Sequence, residues 1–132
     1  MFKLKPGDDV GALEDWALDN PASDYRITRG APTTSGRIDV GGPGHAMRYG
    51  IWRCTAGALE CTEQGDELFM VLSGRCRLID HTSGDVTVLA PGDSHFVRDG
   101  ASVTRDITED LTKVFFGHKA GGYCGREGVV PI

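Results

Sequence analysis

The sequence predicts an all-β protein: an antiparallel double sheet closed into a β-barrel and preceded by an N-terminal arm. Two observations carry that expectation. Nineteen Gly and six Pro punctuate the 132 residues, with β-branched and aromatic residues clustered between them, a pattern of many short strands rather than long helices. The second is the run Glu67-Leu68-Phe69-Met70-Val71-Leu72-Ser73-Gly74-Arg75, followed later by Ala90-Pro91-Gly92-Asp93. A carboxylate opens an apolar strand, a Gly turns it, and a second strand runs to a Pro-Gly-Asp turn.

Residues 1–45 read as arm and edge strands, 46–118 as the barrel and 119–132 as a tail, all in one domain. In the arm, Leu13, Trp16 and Ala17 have helical spacing, but Gly11 and Pro21 confine any helix to about two turns. Tyr25 to Thr28 suits an edge strand, whereas 30–34 and 41–44 are loops by composition. Eight strands follow: Met47–Cys54, Ala58–Thr62, Glu67–Leu72, Arg75–Asp80, Val86–Leu89, Ser94–Val97, Ser102–Ile107 and Thr112–Phe116. Gly-containing turns separate most of them, which specifies an antiparallel sandwich or barrel. Leu68 to Leu72 is apolar on both faces, so one face should line the interior and the other meet the arm or another subunit. The Gly-rich tail is expected on the surface or across to a partner.

The net charge of −5 and a pI near 5.2 argue against a nucleic-acid partner, which needs a basic face. No apolar run approaches a membrane span and no signal-peptide core is present, so the expected location is cytoplasmic. Cys54, Cys61, Cys76 and Cys124 form no Cys-x-x-Cys pair and are expected to be reduced and mostly buried.

Glu67, six residues and Gly74 resemble the end of the first cupin motif, and Gly92-Asp93 through Gly100 the second. With Glu14-Asp15-Trp16, Gly50 to Gly57, Pro91-Gly92-Asp93 and Glu109 to Lys113, the chain is similar to small single-domain cupins related to the (S)-ureidoglycine aminohydrolase cupin domain. That resemblance implies a jelly-roll barrel with a central pocket, often in a homodimer. Metal-holding cupins use a His-x-His and a Glu in the first motif and a His in the second. Counting from Glu67 and Gly100 sets Glu60, Thr62 and Val103 at the imidazole positions. No transition metal is therefore expected, although Glu60, Thr62 and Glu67 can hold a hard divalent cation weakly.

Glu60 and Glu67 are expected to face inward on neighbouring strands, where two adjacent carboxylates raise one pKa and suit acid–base catalysis, or else stand at a wet mouth or pair with a cation. Strand alternation puts Val103, Arg105 and Ile107 on one face. Arg105 then either pairs with an acid or clamps a ligand's anionic group. Thr62, Trp52, Phe69 and Val103 complete the expected ligand-binding wall, with the aromatics serving equally as core. Glu109 and Lys113 read as an ion-pairing set, and His95 and His118 as candidates for a stray ligand or base. The resulting reading is a small-molecule-binding cupin acting on a polar or anionic metabolite, as a metal-independent isomerase, lyase or hydrolase. The rivals are a non-catalytic sensor that has lost its metal site, and a subunit of a larger assembly if the hollow is filled by its own side chains.

Overall fold

The computed structural model describes residues 2–18 and 24–123; the predicted tail beyond Tyr123, with Cys124, lies outside the described residues. Among the described residues nine antiparallel strands follow one another: β1 (Glu14–Trp16), β2 (Arg26–Arg29), β3 (Thr34–Gly41), β4 (Met47–Cys54), β5 (Gly57–Thr62), β6 (Asp66–Asp80), β7 (Val86–Leu89), β8 (Ser94–Val97) and β9 (Ser102–His118). No helix among the described residues is long and apolar enough to cross a membrane.

The two long strands organise the barrel. The expected hairpin at Ser73-Gly74 is instead a bulge: Gly74 has φ +82°, and the pairing with β9 slips in steps from Val71 to Cys76. The extra residues bend the strand without ending it. Likewise Ser102–Ile107 and Thr112–Phe116 are one strand. The first half of β6 pairs with the last half of β9, and the reverse. Since β4 pairs with 111–118 and β5 with 102–107, one sheet runs β1-β3-β4-β9-β6-β8 and the other β2-β5-β9-β6-β7. This is the predicted jelly-roll double sheet, with both sheets sharing β6 and β9.

The expected short helix near Leu13 is strand β1, which pairs with β3 and drops Trp16 into the core. The indole lies against Gly36, where any Cβ would collide with it. Tertiary burial of one large side chain thus outweighs weak helical spacing. The expected edge strand is β2, on β5. Trp52, Leu59, Phe69, Val103, Ile107 and Phe115 fill the space between the sheets. Cys54, Cys61 and Cys76 are buried free thiols there; burial pushes Cys54 and Cys61 up to about 12, so both stay protonated and unreactive.

Candidate functional site

Residues directly opposite on paired strands share a face, so the register decides which side chains meet inside. Leu59 opposes Arg105 and Cys61 opposes Val103; these face the interior. Glu60 opposes Thr104 and Thr62 opposes Ser102, and both point outward. The expected inward position of Glu60 and Thr62 is therefore corrected, and with it the weak cation site of Glu60, Thr62 and Glu67. Glu60 pairs with Arg26, whose hydrogen bond holds its carboxyl below the usual range.

Glu63 is the inward acid. Only Gln64, Gly65 and Asp66 separate it from Glu67, one residue fewer than the motif counting used, and a one-residue slip exchanges the faces of a strand. The short turn is pinned in place. Gly65 adopts φ +84° and donates its N–H to Asp99 Oδ1, while the Glu63 N–H bonds the Ala101 carbonyl at 2.8 Å. Leu59-x-Cys61, with polar residues between, is the period-two signal in the sequence that identifies this face.

Four of the buried charges form two ion pairs inside the barrel. Arg105 Nη2 donates to Glu63 Oε1 at 2.5 Å, and Lys113 Nζ donates to Glu67 Oε1. Glu67 and Arg105 are thus inward as expected, and Lys113 joins Glu67 while exposed Glu109 lies 3.8 Å from Arg75. Lys113 Nζ sits 4.6 Å from the Trp52 ring centre and 4.4 Å from that of Phe69, and the Arg105 guanidinium 5.6 Å from Trp52. These two aromatics form a cation-facing wall worth roughly 1–2 kcal/mol per desolvated contact.

Burial sets the proton affinities. Desolvation pushes the Glu63 carboxyl up to about 7, with Glu67 adding to the rise and Arg105 limiting it. Desolvation, reinforced by Arg105, lowers Lys113. For Arg105 burial opposes the charge, but Glu63 and Glu67 outweigh it and keep it firmly cationic. Glu63 Oε2 and Trp52 Nε1 are buried without a hydrogen-bond partner.

A cleft of about 410 Å³ opens where the sheets part between β7 and β8. Leu78, Asp80 and Thr87 line it from one sheet, His95 from the other, and Arg98 from the turn before β9. Leu78 is the register partner of Arg105, and Asp80 of Val103, so the cleft reaches the strand next to Arg105, while none of the four paired charges itself lines it. The His95 ring lies 5.9 Å from Phe69, with Nδ1 buried and unpartnered. Burial, aided by Arg105, lowers its pKa, so the ring is neutral at pH 7. His118, at the end of β9, is exposed.

The residues at the cupin metal positions do not fit a metal ion. Val103 has no donor atom, and each inward acid already faces a cation of the chain. Among the described residues no three His, Cys, Asp or Glu side chains converge as an ion requires.

The curled double sheet around an inward polar centre defines a cupin barrel. Residues 41–115 match the EutQ-like cupin domain, more than half the chain, and the protein belongs to that family. No curated protein matches it. Among solved structures, a cupin-like protein from Thermotoga maritima is similar at 10% identity over 86% of this chain and 84% of that one, with a TM-score of 0.64. The Clostridium difficile EutQ protein shares 12% over 72% and 81% (TM-score 0.57). A putative ethanolamine utilization protein Q from Salmonella typhimurium shares 18% over 69% and 72% (TM-score 0.55). At these identities the likeness establishes the fold alone.

Proposed function

We propose that this cupin binds a small polar or anionic metabolite in the β7–β8 cleft, without a metal, and that Glu63 takes the acid–base role expected of Glu60. One observation carries the reading. A fully buried carboxyl raised to about 7 stands beside a fixed guanidinium whose register partner, Leu78, lines an open cleft. A group poised near the working pH is best suited to move a proton. Arg105 orients the ligand's anionic group through Leu78's side of the cleft, and neutral His95 supplies a second proton-transfer group. Isomerase, lyase or hydrolase chemistry suits such a pair. The finer resemblance to the (S)-ureidoglycine aminohydrolase cupin domain rests on the motif residues alone. Three reduced, buried thiols fit the expected cytoplasmic setting.

The test is a thermal-shift screen of small carboxylates, amides and sugar acids, since a ligand selective for the folded state raises the midpoint. At least one compound is expected to stabilise the protein, with the shift lost in His95→Ala. If nothing in the panel shifts the midpoint, or His95→Ala responds like the parent, the cleft reading is wrong.

A non-catalytic binding role is the second reading, favoured by the fact that Glu63 and Glu67 each already pair with a cation of the chain, Arg105 and Lys113. Incubating a ligand found by the screen with the protein separates the two. The catalytic reading expects its conversion, abolished in Glu63→Gln, whereas the binding role expects it returned unchanged by mass spectrometry.

A further inference from the structure

The cleft of about 410 Å³ between β7 and β8 holds two opposite charges that have no partner in the chain. In the interior, Glu63 and Glu67 pair with Arg105 and Lys113; on the outer face of the second sheet, Glu60 pairs with Arg26, and Asp106 with Arg29 and Arg77. Asp85 and Arg98 both line the cleft, yet among the described residues neither side chain has a hydrogen-bond or ion-pair partner. Asp85 immediately precedes β7 and Arg98 immediately follows β8. They stand on opposite sides of the gap, out of ion-pair reach of each other.

Each side has its own chemistry. Asp80 adds a second carboxylate to the β7 side, where its N–H donates to the Asp85 carbonyl at 2.9 Å. Asp80 Oδ1 accepts the Thr82 and Ser83 N–H groups, which leaves Oδ2 uncommitted. On the β8 side Arg98 is joined by His95, whose Nδ1 is buried with no partner. Asp99 follows Arg98, but its Oδ1 is held by the Gly65 N–H at 2.9 Å. The His95 ring lies in the fields of Asp80 and Asp85 as well as those of Arg105 and Lys113. The cleft is therefore dipolar, with two carboxylates on one wall and a guanidinium and a neutral imidazole on the other.

We propose that the metabolite taken by this cleft is a small amino-acid-like zwitterion, its ammonium group on Asp80 and Asp85 and its carboxylate on Arg98. The proposal rests on the cleft reading above and narrows it from a polar or anionic ligand to one that carries both charges. Arg105 does not line the cleft and adds only its field. A ligand with a carboxylate alone would meet the repulsion of Asp80 and Asp85 in a chain already at −5. One with an ammonium alone would leave Arg98 without a counterpart. A zwitterion answers both walls with charge-assisted hydrogen bonds.

The test is the thermal midpoint of the full chain with the standard amino acids, β-alanine and γ-aminobutyrate, each beside the amine and the carboxylic acid that lack one of its charges. At least one zwitterion is expected to raise the midpoint, and its singly charged counterparts to raise it less. In titration calorimetry its affinity should fall about two- to fivefold in Asp85→Asn and in Arg98→Gln, as exposed ion pairs allow. Both residues are exposed, so far-UV circular dichroism should stay unchanged. Asp85→Asn should spare the singly charged acid, and Glu109→Gln, outside the cleft, should change nothing. If a carboxylate lacking the ammonium binds as tightly as any zwitterion, and loses its effect in His95→Ala, the cleft reading stands and the zwitterion proposal falls. The proposal falls equally if both cleft variants bind the zwitterion as the parent does. No shift from any compound, of either charge type, overturns both.

Discussion

Glu63 links the site to the stability of the barrel. Its folded pKa, near 7, exceeds the unfolded value of about 4.3. Between these values the native state holds the proton more tightly, so stability falls as pH rises through that window. Thermal midpoints of the parent are expected to decline from pH 5 toward pH 7.5 more steeply than those of Glu63→Gln. Parallel profiles would show that the carboxyl ionises normally. The Lys113–Glu67 pair makes a second prediction. Lys113→Met strands a buried carboxylate and should cost about 3–5 kcal/mol in urea denaturation, whereas Lys113→Met with Glu67→Leu should be near neutral. Glu67, Arg105 and Val103 were legible as inward residues because motif spacing and alternation agree there. Glu60 was misassigned because a turn shortened by one residue changes no residue type, only which face each one meets.

At the scale of the element, the bulge in β6 decides the architecture. A Cβ at Gly74, which sits at φ +82°, would run into the Asp110 carbonyl of β9. Gly74→Ala is expected to cost at least about 1–3 kcal/mol, read by denaturant midpoint, from positive φ alone; an unchanged midpoint would mean that the bulge is not required. Strand positions from Met47 onward were readable because alternation and turn residues coincide. The Ser73-Gly74 step was not, since a glycine at positive φ marks a bulge and a hairpin equally well, and only pairing with a distant strand tells them apart. The same holds for β1, three residues whose strand form depends on Trp16 finding the gap over Gly36.

Over the whole molecule, the barrel was legible because turn spacing and the two glycine-bearing motifs specify the same closed sheet. The cleft was not, because it forms where β7 and β8 fail to meet, and no residue pattern records a gap. Inward acids that already pair with the chain's own cations make one further prediction. Prolonged dialysis against a chelator should leave the thermal midpoint unchanged, since each inward acid already has a cation of the chain beside it; a drop restored by adding a divalent metal would contradict the assignment of these positions.

Because β6 and β9 belong to both sheets, neither half of the barrel can assemble first without fixing much of the other. Their partners lie between 23 (Asp80 and Val103) and 52 (Asp66 and His118) residues apart along the chain, so a long loop must close before any of that pairing is rewarded. Refolding after dilution from urea should therefore be slow for so small a protein, on the order of milliseconds to seconds. Substitutions along these shared strands should retard it more than substitutions in the β7 ribbon.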